Sequence, residues 1–165
     1  MKLAETKYDN HATGCCADLD PTLWDGRTIT WKDQRFVKDH VRAIFHIPLN
    51  FGAVVTRAHT AIEKAEAYPE QPLWLSDEAS PWRSNLYVQV DRDVPGAETR
   101  TLSGTFLTKV FEGPFRDAGK WVKAMREYVS GQGHELKKLY FFYAICPKCA
   151  KHYGHNRVVL FAQVA

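Results

Sequence analysis

Residues 106–135 read FLTKVFEGPFRDAGKWVKAMREYVSGQGHE, and a change of period inside this stretch decides the fold. Residues 98–111 form a long strand-like run in which Gly104 marks a bend or bulge. Alternation places Phe106, Thr108, Val110 and Glu112 on one face, with Leu107, Lys109 and Phe111 on the other. At Gly113-Pro114 the twofold period stops. Pro114 suits a first helical turn, where its missing N–H is no loss, and Asp117 complements the same end of the helix dipole. Phe115, Ala118, Val122, Met125 and Val129 then recur at helical spacing until Gly131 and Gly133 end the run. A lone carboxylate, Glu112, falls where the strand stops. Its residue type allows two readings: an acid that supports a helix start, or a pocket carboxylate that holds a cation or activates water.

Working outward, the same order recurs earlier in the chain. Residues 28–32 and 35–38 alternate around Asp33-Gln34 as a hairpin would, and residues 41–47 are β-rich up to Pro48. Asn50 is a candidate N-cap for a helix over 51–67, where Val54, Val55, Ala58, Ala61, Ile62 and Ala65 share a stripe. Residues 72–75 and 86–90 are short strands, Pro95-Gly96 is a turn, and 139–145 and 158–164 read as buried strands. The expected fold class is α+β: a tandem strand-helix-strand-strand repeat, with antiparallel sheet and two helices on one face around a ligand cleft. The expected organisation is an irregular extension over 1–25 and one domain over 26–165, with pseudo-repeat halves at about 26–95 and 96–165.

Composition narrows the function classes. A chain of 165 residues with 25% charged and 45% apolar residues can build one ordinary core. The formal charge is +3, and the basic residues are scattered in pairs such as Lys137-Lys138 rather than gathered in a phosphate-binding stripe, so no nucleic-acid partner is expected. No apolar run approaches the roughly 20 residues of a membrane span, and no membrane partner is expected. The opening MKLAETKYDNHATGCCADLD carries no apolar signal core, which points to a cytoplasmic protein with reduced thiols. Aromatic residues make up 13%, enough to line a pocket for a small hydrophobic or aromatic molecule as well as a core.

The segment from Phe106 to Glu135 resembles the signature stretch of the GyrI-like (gyrase-inhibitor-like) small-molecule-binding superfamily, which includes effector-binding domains of multidrug-sensing regulators. Its pattern of a strand ending in a Glu- or His-containing turn, then Gly-Pro-aromatic, a helix and a Gly-rich break is met by Glu112, Gly113, Pro114, Phe115 and Gly131/Gly133. Tyr143 ahead of Pro147 matches a further family feature. The resemblance implies a tandem repeat around a ligand cleft and, from some relatives, hydrolysis of electrophilic xenobiotics in an aromatic cage. On that basis Glu112 and Tyr143 are the catalytic candidates, and Trp82, Tyr87, Trp121 and Phe142 the cage candidates. Relatives that take cationic drugs carry an acid at the start of the last strand. Here Asn156 and Arg157 stand there, so the resemblance does not carry cationic ligands over.

One insertion, CPKCAKHYGH, lies outside the family pattern. Cys146 and Cys149 have the spacing of a zinc half-site, completed by His152 and His155 or by Cys15 and Cys16. Structural zinc, a redox pair and free, partly buried thiols all fit this spacing, and no cofactor is required. His46 and His59 suggest no role. The chain carries no G-x-S-x-G elbow, Walker loop, Rossmann glycine set or HExxH, which argues against the commonest hydrolase, nucleotide-binding and metalloprotease schemes. Three functions follow as expectations: a small-molecule-binding hydrolase, a non-catalytic sequestering protein, or a zinc-stapled interaction module using the CPKC loop.

Overall fold

β-Branched and aromatic residues at alternating positions make strands of most of this chain. The computed structural model describes residues 20–45, 47–69, 72–78, 80–143, 151 and 154–165. Among them the fold is α+β, with antiparallel strands and two α-helices in the order β1 (Arg27–Ile44), β2 (Ile47–Pro48), α1 (Phe51–Lys64), β3 (Trp74–Asp77), β4 (Arg83–Gln89), β5 (Glu98–Glu112), α2 (Ala118–Gly131), β6 (Leu136–Tyr143) and β7 (Arg157–Val164). The described residues divide into two compact units. One is Trp31–Ser103; the other, here the C-terminal unit, joins the described residues up to Thr30 with those of Gly104–Ala165.

In the Trp31–Ser103 unit, β4 lies between β1 and β3, with Val37 opposite Val88 and Leu75 opposite Tyr87. The buried stripe of α1, Val54, Ala58 and Ile62, packs on Val37, Val41, Leu86, Val88 and Val90. β1 is one strand where the sequence suggests a hairpin about Asp33-Gln34. The reason is local: Asp33 takes a left-handed φ of 51° and is caught from the side, its N–H donating to Ser103 Oγ at 2.8 Å. Aspartate tolerates that conformation, so the strand kinks without reversing. Asn50 likewise departs from the capping role its position suggests. Its Oδ1 accepts the backbone N–H of Arg42 at 2.8 Å instead, tying the helix start to β1.

In the C-terminal unit, β7 lies between β6 and β5, with Phe161 opposite both Thr108 and Tyr140. One face carries Leu107, Phe141, Val158, Leu160 and Ala162 and is covered by Trp121, Met125 and Val129 of α2. Lys109 Nζ lies 4.6 Å from the centre of the Tyr128 ring, a cation–π contact between β5 and α2. The other face is a layer of rings. Trp24 meets Phe161 and Phe142 edge-on at 5.4 and 6.1 Å, and Phe106 meets Tyr140 at 6.3 Å. Of the stretch read as an irregular lead-in, residues 20–25 are described, and they cover this face. Asp20 caps the 3-10 turn Pro21–Leu23, Asp25 Oδ1 accepts the Val110 N–H at 3.0 Å, and Gly26 N–H donates to Thr108 O at 3.0 Å.

Arg57 on α1 clamps Asp39 on β1 with two hydrogen bonds, Nε to Oδ2 at 2.9 Å and Nη2 to Oδ1 at 2.6 Å. Burial alone would raise the Asp39 carboxyl, but the Arg57 bonds and the His40 N–H outweigh it and leave the group below its usual value. A depressed carboxyl contributes stability above its unfolded value of 3.8, and that contribution is lost as pH falls through the folded value. Arg57 is largely exposed, so the pair contributes on the order of 1 kcal/mol or less. Asp39→Asn is expected to lower the urea midpoint at pH 7, and the gap to wild type is expected to shrink as denaturation curves are taken towards pH 3.

Candidate functional site

The site is built where β5 ends. Glu112 is the last residue of β5 and stands opposite Arg157, the first of β7, with Arg157 Nε 3.5 Å from Glu112 Oε2. Arg157 is mostly covered, whereas the Glu112 side chain is 58% exposed, so the carboxylate is held from behind and open in front. Gly113 then reverses the chain at φ 144°, a conformation open only to glycine. Asn156 clamps the reversal on both sides. Its carbonyl accepts the Gly113 N–H at 3.1 Å, and its Nδ2 donates to the Gly113 carbonyl at 3.0 Å. Pro114, with φ −69°, leads into the 3-10 turn Phe115–Asp117, and α2 follows directly.

This turn opens onto a cavity of about 460 Å³ lined by Glu112, Gly113, Pro114, Lys151, Gly154, His155 and Asn156. Asn156 Oδ1 is buried and has no hydrogen-bond partner among the described residues. A buried acceptor without a donor carries a desolvation penalty of roughly 1–3 kcal/mol unless a water or ligand donor satisfies it. The Asp20 carboxyl is pulled down first by the Thr22 hydroxyl, then by the Thr22 N–H and, more weakly, by Arg157. Glu112 and Arg157 thus pair at the mouth of the β5–β7 ladder.

The remaining candidates fall in three places. Trp121 on α2 is buried and stacks on Phe111 at 6.2 Å. A Cβ on Gly113 would meet its Cζ2 at 3.6 Å, so this ring backs the turn. Tyr143 lies between Phe115 and Phe141, at 5.6 and 5.8 Å. It packs with the α2 cluster, as Phe111 does, so alternation puts Tyr143 and Glu112 on opposite faces of the three strands. Phe142 shares the Glu112 face but is packed into the ring layer against Trp24 and Phe161. Tyr87 and Trp82 belong to the other unit. Tyr87 is buried edge-on against Phe36 at 6.3 Å, and Trp82 is exposed beside Phe45 at 5.1 Å. Cys15, Cys16, Cys146, Cys149 and His152 lie outside the described residues, as does His46. Among the described residues, no three His, Cys, Asp or Glu side chains gather as a metal site, and His155 lines the cavity instead.

Sequence reading missed the Arg157–Glu112 pair and the Asn156 clamp. Both follow from the β5–β7 register, which joins residues 45 positions apart (Glu112 to Arg157), and no local pattern announces it.

Residues 6–164 match the model of the family described as "Bacterial hydrolase". The chain belongs to that family. Among solved structures, an uncharacterized conserved protein from Listeria innocua is similar at a TM-score of 0.62 and 12% identity, covering 86% of this chain and 92% of its own. A hydrolase from Listeria innocua is similar at a TM-score of 0.58 and 13% identity, with the same coverage. At these identities the likeness is one of fold. No curated protein matches the sequence. No helix among the described residues of this bacterial hydrolase family member is long and apolar enough to cross a membrane.

Gly113 should be the least replaceable residue of the turn. An added Cβ would find ordinary contact distances of 3.5 Å to Asp117 and 3.6 Å to Trp121, so the cost of Gly113→Ala lies in the backbone. We expect a loss of about 1–3 kcal/mol in urea unfolding. Gly119→Ala, at a helical position with open space around it, should be neutral or slightly stabilising.

Proposed function

We propose that this chain is a hydrolase of small, hydrophobic or aromatic electrophiles, of GyrI-like descent, with Glu112 as its general base. The observation that carries the reading is a carboxylate at a strand end, backed by Arg157 and opening onto a cavity of about 460 Å³. Membership of the bacterial hydrolase family supports the reaction class, and the Glu-Gly-Pro-Phe turn leading into α2 supports the descent.

In this reading a water bound to Glu112 gives up a proton to the carboxylate as its oxygen attacks the electrophilic carbon. The proton then passes to the heteroatom or carbon released by bond opening. Arg157 orients the carboxylate, and Asn156 holds the turn that carries it. Proximity in a small cavity supplies much of the effect, and no nucleophilic serine is needed. Trp121 and Tyr143 act as ring walls behind the turn.

The rival reading is a sequestering protein in which Glu112 is a passive contact. A Trp-fluorescence screen of planar electrophiles supplies a ligand, and turnover is then followed by mass spectrometry. Glu112→Gln is expected to keep binding within a few-fold while lowering kcat by about 10²–10⁴-fold. Equal turnover in Glu112→Gln and wild type removes Glu112 as base. Binding without turnover in wild type, across the screen, favours sequestration. Tyr143→Phe separates the ring from the hydroxyl: a wall role predicts near-normal kcat.

A further inference from the structure

Six large hydrophobic side chains are strongly exposed among the described residues, and five of them sit at one end of the Trp31–Ser103 unit. They are Ile44, Phe45, Leu49, Phe51 and Trp82. Chain geometry brings them together. The β1–β2 hairpin pairs Ala43 with Pro48, Leu49 N–H donates to Arg42 O at 2.8 Å, and Ala43 N–H donates to Trp82 O at 2.8 Å. The Phe45 and Trp82 rings lie 5.1 Å apart.

Two features of this patch work against the fold's own stability. Phe45 occupies the hairpin turn at a left-handed φ of 46° while 72% exposed. A bulky residue is strained there, and Asn or Gly would serve the turn better. Directly behind it, Arg42 stands opposite Arg83 across β1 and β4. Like charges facing each other across strands destabilise a sheet, and neither guanidinium has an ion-pair partner among the described residues. A strained, exposed Phe45 beside exposed Trp82, with two cations that have no ion-pair partner among the described residues, answers a partner that is apolar within and anionic at its surface.

We propose that this hairpin end docks on anionic phospholipid bilayers, with Phe45 and Trp82 in the interfacial layer and Arg42 and Arg83 on the headgroup phosphates. Aromatic rings and long arginine stems suit that boundary, since each has an apolar body and a polar tip. A second copy of the chain fits less well, because a twofold contact through this patch would bring four guanidinium groups together. The side chains also project from a turn rather than lining a groove, which suits insertion better than capture of a peptide. The inference departs from the sequence expectation of no membrane partner. That expectation rested on the lack of a long apolar run, whereas this patch is assembled from Ile44, Phe45, Leu49, Phe51 and Trp82.

The test is flotation of the full-length protein with vesicles of phosphatidylglycerol and phosphatidylcholine. Wild type should float with the mixed vesicles but not with phosphatidylcholine alone, and binding should fall with added salt. Phe45→Ser with Trp82→Ser, and separately Arg42→Gln with Arg83→Gln, should each weaken binding by about tenfold or more, with unchanged far-ultraviolet circular dichroism. Brominated acyl chains should quench wild-type tryptophan fluorescence, a readout that depends on no variant. The proposal is overturned if wild type stays below the vesicles, if both variants bind as wild type does, or if bromolipid quenching is absent. Vesicle indifference together with self-association, or with capture of an acidic peptide, that Phe45→Ser abolishes would assign the patch to another protein surface and overturn it equally.

Discussion

The reversal at Gly113 is the constraint on which the C-terminal unit depends. β5 has to stop there, because the backbone leaves strand geometry at φ 144° and Asn156 holds both the N–H and the carbonyl of that one residue. Three consequences follow. Pro114 receives the chain at a φ it already prefers, so α2 starts within four residues and lays Trp121, Met125 and Val129 on the sheet. Glu112 becomes a strand end with one side open. Arg157, the residue after the clamp, is brought opposite it by register rather than by chance contact. One glycine and one amide therefore place the helix, the carboxylate and its cation together.

Much of this was legible in the sequence. The switch from twofold to helical period across FEGPF gives β5 and α2 to within a few residues, and the same test finds α1, β4 and β7. Local chemistry failed where a side chain serves a distant partner. Asp33-Gln34 has turn composition, yet Ser103, 70 residues away, stabilises the kink within a continuous strand. Asn50 has cap composition, yet its oxygen is taken by Arg42. The pairing of Glu112 with Arg157 was hidden for the same reason. Arg157 looked like a departure from a family pattern, and only the ladder turns that departure into a partner. Faces were legible only strand by strand: Tyr143 and Glu112 are each strand-end residues, but their relative faces depend on how β5 and β6 register on β7.

Packing explains the rings better than composition does. The C-terminal unit uses Trp24, Phe106, Tyr140, Phe142 and Phe161 to cover the sheet face opposite α2, and all five are nearly or fully buried. Side chains of that size supply a core without help from long helices, which a sheet with one short helix on it requires. The rings left with exposed surface are a smaller set. Phe115 flanks the Glu112 turn, while Phe45, Phe51 and Trp82 stand at the hairpin end of the other unit. Exposure, rather than abundance, singles out the aromatic residues with chemistry left to do.

Stability alone does not account for the charges at the end of β5. An ion pair at 3.5 Å with one partner more than half exposed contributes on the order of 1 kcal/mol or less. A β-branched pair at the same two positions would serve the ladder as well. The Asn156 clamp has a stronger structural reason, since it satisfies two backbone groups that the turn would otherwise leave bare. Yet the same side chain leaves Oδ1 buried without a donor among the described residues. The open carboxylate at the end of β5 is therefore the feature of this turn that folding alone does not explain.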